Sequence, residues 1–304
     1  MAELVDNIPL KLELLRILAN KSELSLMEIE REVGISMDEA LAVIDEMKRN
    51  YMIRLEKSSV KWLDGDNPLK INPWGWNYVY RPFLGSTMKA SKHLPTWSIV
   101  IAEYQSSGIG RHGKKWLSNL GGIWMTAKFN VSPSAAQLLP ITVPTLLCRF
   151  LRERIKLNAQ IKWPNDIILG DKKAAGFLIE GEYVGTRIIA YVGIGINVNN
   201  DPPLETAISI KDVIGQLIPR NRVISYIVSV MGRIEKYAEN RESIKLEYLE
   251  YMSTLGRKVL ALTRSGEIRG VARSISETGD LVIETETGSL KLSSNEILML
   301  RHID

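Results

Sequence analysis

Apolar residues in the first sixty positions recur at helical spacing and then alternate with polar ones. One face of a first helix is formed by Leu10, Leu14, Ile17 and Leu18. Ser25-x-x-Glu28 and Ser36-x-x-Glu39 have the form of capping boxes, which predict the starts of two further helices. Apolar and polar residues alternate over 53–62 on both sides of a turn, which predicts a hairpin. Three helices and a hairpin predict a winged helix-turn-helix domain over residues 1–63.

A segment rich in turn-forming residues follows this pattern. Asp64-Gly65-Asp66-Asn67-Pro68 and Asn72-Pro73 offer little apolar side chain to bury. We therefore predict a linker over 64–76 and a domain boundary within it.

The next part of the chain, residues 77–254, mixes strand-like and helix-like patterns. Apolar runs at 99–102 and 122–128 predict two strands on either side of a glycine-rich loop. The apolar stretch 134–155 contains two prolines, which predicts one bent helix or two separate ones. Two amphipathic helical patterns follow at about 221–252.

The last fifty residues are divided into apolar segments of four to six residues. Turn-forming residues separate these segments at 264–266, 277–280 and 287–288. This spacing predicts a small β-barrel over 255–304.

Composition narrows the class of protein. A chain of 304 residues with 45% hydrophobic and 24% charged residues is expected to form two or three globular domains. No apolar run reaches the roughly 18 residues of a membrane span, and the early acids Glu3 and Asp6 do not suit a signal peptide. We expect a cytoplasmic protein with no membrane partner.

Cysteine and histidine usage excludes two kinds of site. The single cysteine, Cys148, excludes a disulfide framework and a cysteine zinc site, and its apolar surroundings predict a buried thiol. The three histidines are too scattered to predict a metal site.

Charge leaves two interpretations of the N-terminal domain open. A DNA-reading helix needs positive charge for phosphate contacts. The third predicted helix instead carries Asp38, Glu39, Asp45 and Glu46 against Lys48 and Arg49. Residues 36–62 therefore predict either a DNA reader weakened by its acids or a module that contacts protein or has lost its DNA-binding role.

The glycine-rich loop, residues 108–116, is the first candidate for chemistry. Its glycines let backbone N–H groups approach a ligand, and Arg111 can bind a phosphate in two places. The spelling Gly108-x-Gly110-x-x-Gly113 also matches a dinucleotide motif, which we reject because another strand follows where that motif requires a helix. The remaining alternative is a solvated basic hairpin.

Polar residues at the ends of predicted strands form further candidates, each with a plain structural alternative. Ser86 can bind a ligand or only cap a short helix, and Gln105 can offer a donor and an acceptor. A cluster around a basic turn contains Lys162, Asn165, Asp166 and Lys173. The alternative to a ligand-binding role for this cluster is a plain turn exposed to solvent. Asn197 ends a strand with two glycines, where a ligand or only a bulge is expected.

Together these segments resemble the biotin protein ligases, of the group with an N-terminal winged helix. The resemblance rests on Gly108-x-Gly110-Arg111-x-Gly113-x-x-Trp116, Lys162-Trp163-Pro164-Asn165-Asp166, Lys173-x-x-Gly176 and Gly195-Ile196-Asn197. It implies an α+β fold with a winged helix, a class II synthetase-like mixed α/β catalytic domain and an SH3-like C-terminal β-barrel. It also implies ATP-dependent conversion of biotin to biotinyl-5'-AMP and transfer to a lysine of a biotin carboxyl carrier protein.

The resemblance implies roles for particular residues. Biotin-binding residues would be Ser86, Thr87, Gln105, Gly108, Ile109, Arg111, Lys173 and Gly176. Residues for ATP and the adenylate would be Arg111, Trp116, Asn165, Lys173, Asn197 and Arg301, although Arg301 is equally well explained as a surface residue. Arg111, Lys173, Asp166 and Asn165 would form the catalytic group. Mg²⁺ would arrive with ATP and need no dedicated site.

The chain departs from the usual family pattern at two positions, and two other functions are compatible with the sequence. Ile109 and Met88 stand where the family usually has Arg and Asn. A biotin-responsive DNA-binding repressor, with or without ligase activity, is the main alternative, and a lipoate ligase is a further one. We also expect a homodimer that pairs near 183–191.

Overall fold

The computed structural model describes residues 7–21 and 23–303 and divides them into two compact units. Unit 1 contains the chain up to Ile109, Lys115–Phe129 and Tyr191–Ser229, and unit 2 contains the rest. The early acids Glu3 and Asp6, and the first residues of the predicted 1–63 domain, lie outside the described residues.

The described residues contain both helices and strands. The helices are α1 (Ile8–Asn20), α2 (Leu26–Val33), α3 (Met37–Met47), α4 (Thr87–Lys92), α5 (Pro133–Glu153), α6 (Ile210–Ile214), α7 (Arg220–Met231), α8 (Ile234–Glu239) and α9 (Arg241–Tyr251). The strands are β1 (Leu24–Ser25), β2 (Ile53–Glu56), β3 (Ser59–Trp62), β4 (Asn77–Leu84), β5 (Ser98–Ile109), β6 (Lys115–Ser118), β7 (Ile123–Val131), β8 (Ala159–Lys162), β9 (Asp166–Leu169), β10 (Lys172–Val184), β11 (Arg187–Ile196), β12 (Lys258–Thr263), β13 (Gly266–Ile275), β14 (Leu281–Thr285), β15 (Gly288–Leu292) and β16 (Ile297–His302).

The N-terminal part of unit 1 has the three helices and the hairpin that the sequence predicts. Both capping boxes form, because Ser25 and Ser36 each accept from a backbone N–H while Glu28 and Glu39 reach back to the cap. Gly34 ends α2 with φ 76°, a backbone angle that favours glycine. The identification of these elements as a winged helix stays a prediction.

The predicted linker is buried in one part only: residues 66–68 are buried, whereas residues 69–76 are exposed or half-buried. Asp66 is 0% exposed and Asn67 1%. Asp66 accepts from the Trp62 indole N–H at 2.8 Å and from the Met52 backbone N–H at 3.1 Å, while Asn67 donates to the carbonyl of Ala19 at 3.1 Å. These short polar side chains are buried because they satisfy groups of the N-terminal elements.

A mixed sheet in unit 1 has the order β4-β5-β7-β11, with β6 beside β5. β4 runs parallel to β5, and β7 runs antiparallel to it. The apolar run Ile99–Ala102 of β5 is buried on both faces. This is the mixed α/β arrangement expected for the central part of the chain.

In unit 2, the strands β10, β9 and β8 pair in antiparallel order beside α5. The stretch around 134–155 is one helix, with Pro140 and Pro144 inside it. α5 is long and apolar enough to cross a membrane by composition, but 72% of that window is buried inside the protein, as in a core helix. Cys148 on α5 is a buried thiol, as predicted, and burial raises its pKa to about 12.

The C-terminal part of unit 2 contains the short strands that the sequence predicts. They form an antiparallel sheet in the order β15-β14-β13-β12-β16, and its closure into an SH3-like barrel stays a prediction. The segment 221–252 differs from the expected two helices. It contains α7, α8 and α9, because Arg233 and Asn240 depart from helical backbone angles.

Candidate active site

A buried polar cluster in unit 1 surrounds Gln105, near the middle of β5. Its Oε1 accepts from the backbone N–H and the hydroxyl of Thr87, at 2.7 and 3.0 Å. Its Nε2 donates to Ser118 Oγ at 2.8 Å. The side chains of Gln105, Thr87 and Ser118 are all at least nine-tenths buried. The cluster therefore fixes which end of the Gln105 amide donates and which accepts.

Two members of this cluster were missed by sequence reasoning. Ser118 on β6 and Thr126 on β7 are both buried, and Thr126 donates to the Thr87 hydroxyl at 2.9 Å. The signal that could have found Thr126 is a hydroxyl within the apolar run 123–127. For Ser118 the sequence gives no comparable signal.

Ser86 has the capping role that was one of its two interpretations. It stands in extended backbone before α4, and its Oγ accepts from the Lys89 backbone N–H at 3.5 Å. Met88, at the position where the family usually has Asn, is 5% exposed and belongs to the apolar core.

The glycine-rich segment forms a hairpin rather than the start of an α-helix, which confirms the rejection of the dinucleotide motif. β5 leads into a short 3-10 turn at Arg111–Gly113 and then into β6. Gly108 pairs with Trp116 across the hairpin, and a Cβ at Gly108 would lie 2.5 Å from the Trp116 carbonyl oxygen. Glycine is needed here because β6 approaches too closely for a side chain.

The Trp116 indole packs over Gly195 of β11. A Cβ at Gly195 would lie 2.5 Å from the Trp116 ring. The same ring meets Trp124 edge-on, with centroids 6.3 Å apart. The glycine in β11 therefore allows the close approach of an aromatic side chain of the protein itself, where the sequence left a ligand or a bulge open.

This contact predicts the effect of Gly195→Ala. The new methyl group overlaps the Trp116 ring, so we expect a loss of about 1–3 kcal/mol in the free energy of unfolding, measured by urea denaturation. In a Trp116→Leu background the same substitution should cost less than about 0.5 kcal/mol, because the ring is gone. Equal costs in both backgrounds would contradict the assigned contact.

Asn197, at the end of β11, lies among buried asparagines. Its Oδ1 accepts from Asn200 Nδ2 at 3.0 Å, and Asn200 Oδ1 accepts from the Val198 backbone N–H at 3.0 Å. Asn197 is 5% exposed. These bonds fix the Asn197 carboxamide before any ligand is bound.

In unit 2, the residues of the predicted cluster lie around the β9–β10 turn, with Lys162 on β8 paired opposite Asp166 on β9. Lys173 Nζ lies 2.6 Å from Asp166 Oδ1, and both side chains are partly exposed. Gly176 lies buried on β10 opposite Asp166. A register shift between Lys173 and Ala175 interrupts the ladder at this point, and such bulges often re-aim a side chain near a site.

Arg111 belongs to the same cluster. Its Nη1 donates to Asn165 Oδ1 at 3.2 Å, and Asn165 Nδ2 donates to the Phe177 carbonyl at 2.7 Å. Burial lowers the pKa of Arg111 and the nearby Asp166 carboxylate opposes that shift; an arginine remains a cation in either case. The structure thus brings together Arg111, Asn165, Asp166 and Lys173, the four residues predicted as catalytic.

Two other cations of unit 2 have surface positions. Lys172 is exposed at the start of β10, directly after the β9–β10 turn. Arg301 is exposed on β16, where its Nε lies 3.1 Å from Met299 Sδ. Among residues 7–21 and 23–303, no three His, Cys, Asp or Glu side chains gather where they could hold a metal ion.

Comparison with known proteins adds an independent line of evidence. Residues 82–199 match the Biotin/lipoate A/B protein ligase family, and residues 254–300 match the Biotin protein ligase C terminal domain. The bifunctional ligase/repressor BirA of Bacillus subtilis is 31% identical over 246 residues, which is 75% of this chain and 76% of the relative. The biotin–[acetyl-CoA-carboxylase] ligase of Paracoccus denitrificans is 25% identical over 225 residues, 69% of this chain and 93% of the relative.

A solved structure supports the same comparison. The biotin protein ligase from Aquifex aeolicus in complex with biotin and ATP superposes with a TM-score of 0.64 and 29% identity. The superposition covers 75% of this chain and 99% of that one.

Proposed function

The chain belongs to the biotin protein ligase family, and from this premise we propose that it joins biotin to AMP and then transfers the biotinyl group to a carrier lysine. The observation that carries the proposal is the cluster in which Arg111, Lys173, Asn165 and Asp166 meet. Two cations beside a carboxamide and a single carboxylate suit an anion with several oxygen atoms, such as the α-phosphate of ATP. The family and the Aquifex aeolicus complex give that anion an identity.

The reaction requires that biotin and ATP be positioned and that the charge on the α-phosphate be neutralised. A carboxylate oxygen of biotin attacks the α-phosphorus of ATP, a P–O bond breaks, and pyrophosphate leaves with its electron pair. The lysine amine of the carrier then attacks the acyl carbon of biotinyl-5'-AMP, and AMP leaves. Fixed cations stabilise the charge that develops at the α-phosphate and require no covalent enzyme intermediate.

The residues of unit 2 are assigned to the charged part of this reaction. Lys173 would bind the biotin carboxylate and the α-phosphate, exchanging its bond to Asp166 for the substrate. Arg111 would clamp phosphate oxygens. Asn165 and Asp166 would lie on the side of the magnesium and the acceptor lysine, and Gly176 leaves room beside Asp166.

The residues of unit 1 are assigned to the neutral parts of the substrates. Thr87, Gln105 and Ser86, with the backbone of Gly108 and Ile109, would hold the ureido ring of biotin. The fixed donor and acceptor of Gln105 support this role, because a ureido group also presents N–H and C=O together. Ile109 pairs with Lys115 through the backbone, so a role that needs only its backbone survives the loss of the usual arginine.

Three further residues are assigned to the nucleotide, as the resemblance to the family implies. Trp116 would pack against adenine and Asn197 would contact its edge, while Arg301 would reach phosphate oxygens. The donor set suits Mg²⁺ that arrives with ATP, since Asp166 is the single carboxylate of the cluster and this ion keeps most of its ligands from water and phosphate. When bound, the ion would neutralise phosphate charge.

The transfer half of the proposal has a direct test. The carrier is expected to be the biotinyl domain of a biotin-dependent carboxylase, as the name of the Paracoccus denitrificans relative indicates for that protein. Purified chain, Mg-ATP and biotin should add one biotinyl group to such a domain, measured by intact-protein mass. The domain with its acceptor lysine changed to arginine serves as the control. Modification of both domains, or of neither, would contradict the proposal.

A biotin-responsive repressor is the second candidate, favoured by the name of the Bacillus subtilis relative. The surface of α3 counts against it. Asp38, Glu39 and Asp45 are exposed, and Lys48 lies 3.6 Å from Asp45, which offsets its charge.

DNA affinity as a function of salt separates the two functions. From the charge of α3, we expect the slope of log K against log salt to be no steeper than about −1, measured by fluorescence anisotropy with duplex DNA. A slope of about −4 or steeper, with biotinyl-5'-AMP bound, would establish residues 36–62 as a DNA reader and contradict this expectation.

Location and assembly remain proposals. We place the protein in the cytoplasm, where a carboxylase carrier would be its partner. A homodimer that pairs near 183–191 has some support from the exposed side chains of Tyr183 and Val184 at the end of β10. Light scattering with and without biotin and ATP measures the assembly state.

A further inference from the structure

The turn of the glycine-rich hairpin lies in unit 2 and contacts the region of β16 through three basic side chains. Arg111 Nη2 donates to the carbonyl oxygen of Ser294. His112 Nε2 lies 2.8 Å from the Ile297 carbonyl oxygen, so this ring nitrogen carries the proton and donates. Lys114 Nζ donates to the Leu298 carbonyl oxygen at 3.1 Å.

Two of these carbonyl oxygens, those of Ile297 and Leu298, belong to β16, whose edge is irregular, and that of Ser294 belongs to the turn before it. β16 is the last strand in the sheet order and pairs only with β12 in that order. Thr263 pairs with Ile297 and Leu262 with Met299, so Leu298 is an extra residue on β16. A bulge of this kind re-aims backbone groups, and here the carbonyls of Ile297 and Leu298 both accept from the hairpin turn. We call residues 294–298 the acceptor edge.

The acceptor edge holds the turn without cancelling its charge. The bonds from Arg111, His112 and Lys114 go to neutral carbonyl oxygens, and that from Arg111 to Asn165 goes to a neutral carboxamide. A carboxylate in the same place would neutralise the cations and compete with a phosphate. Neutral acceptors fix the position of the cations and leave them able to attract an anion.

The same contacts set the place of Arg111 in the candidate site. With its Nη2 on Ser294 and its Nη1 on Asn165, the guanidinium bridges the acceptor edge and the Lys173–Asp166 cluster. The backbone turn supports this position, because Gly110 N donates to Lys114 O at 2.7 Å and His112 adopts φ 55°.

We propose that the acceptor edge of the C-terminal sheet presets the cationic turn for a polyphosphate, with His112 and Lys114 as positioning residues that act through Arg111. The substrate identity rests on the proposed function; the docking of the turn does not. A turn that is already docked on the acceptor edge need not be ordered when the nucleotide binds, so binding loses less conformational entropy. The docking should therefore affect the affinity for the nucleotide more than the rate of the chemical step.

The docking is tested first in the ligand-free full chain by hydrogen–deuterium exchange of residues 110–114. His112→Ala combined with Lys114→Ala should raise exchange there by about tenfold or more, because the turn loses two of its bonds to the acceptor edge. Lys115→Ala is the matched control. It removes a cation from the same hairpin, and its exposed side chain has no described hydrogen bond or ion pair, so exchange should stay at the parent level. His112→Ala combined with Lys114→Arg keeps a side-chain donor at position 114. It should therefore exchange more slowly at residues 110–114 than the double alanine variant.

The functional part is tested by steady-state kinetics of adenylate formation. The double variant should raise KM for ATP by about tenfold with kcat within about twofold, and this rise should exceed that of Lys115→Ala. Unchanged exchange in the double variant would overturn the docking, whether or not the chain makes biotinyl-5'-AMP. Faster exchange with an unchanged KM for ATP would overturn the presetting. Failure of the parent chain to make any adenylate would contradict the proposed function and leave the exchange result standing.

Discussion

Replacing Lys173 by alanine is expected to lower kcat/KM for adenylate formation by about 10²–10³-fold, the usual cost of removing one preorganised donor from a developing charge. The ammonium group lies 2.6 Å from Asp166 in a partly exposed cluster, so it can exchange its carboxylate partner for the substrate. Most of the loss should fall on kcat, because the charge on the α-phosphate grows in the transition state. Release of pyrophosphate over a range of biotin and ATP concentrations measures kcat and KM separately.

The neighbouring lysine provides a matched control for this prediction. Lys172 is exposed at the start of β10, and Lys172→Ala should keep kcat/KM within about twofold of the parent. Both variants should keep the parent's free energy of unfolding within about 0.5 kcal/mol, since each changes a side chain outside the core. Equal rates for Lys173→Ala and the parent would remove Lys173 from the reaction.

Replacing Arg220 by alanine is expected to lower the free energy of unfolding by about 3–5 kcal/mol, as happens when one partner is removed from a buried ionic cluster. Arg220 is 1% exposed, and its guanidinium donates to both carboxylate oxygens of Glu103, to the side chain and backbone of Asp66, and to the Gly122 carbonyl. These bonds engage all of its donors. Burial lowers the pKa of Arg220, and the carboxylates of Asp66 and Glu103 raise it by more.

The cluster joins parts of unit 1 that are far apart in sequence. Tyr51 follows α3 and donates to Glu103 at 2.9 Å, Asp66 belongs to the predicted linker, and Glu103 lies on β5 two residues before Gln105. Loss of Arg220 leaves two carboxylates buried without their cation, so urea denaturation should show a large drop. Arg273→Ala breaks a pair with Glu284 in which both side chains are more than half exposed, and should cost no more than about 1 kcal/mol. Similar small losses in both variants would contradict the structural role of the cluster.

Features that depend on neighbours in sequence could be predicted. Both capping boxes, the left-handed Gly34 and the C-terminal strands follow from local backbone preferences and side-chain alternation. The grouping of Asn165, Asp166 and Lys173 could be predicted because the short β9–β10 turn brings the two strands together. The resemblance of the motifs to a known family supplied the rest of that prediction.

Features that depend on distant parts of the chain could not be predicted. Asp66 has the composition of a turn, yet it is buried because Arg220, 154 residues later, needs a carboxylate. Ser118 joins Gln105 only through strand pairing, and His112 meets a carbonyl 185 residues away. Neither contact leaves a periodic signal in the sequence, because each depends on how separate elements pack.

The most direct test of the account is the mass of the small-molecule product formed from Mg-ATP and an equimolar mixture of biotin and lipoate. The family name covers ligases for both acids. Biotinyl-5'-AMP as the sole adenylate is the predicted result, and it would also show that Ile109 and Met88 are compatible with activity. Lipoyl-AMP as the main product, or no adenylate from a protein that still binds biotin by calorimetry, would contradict the central claim.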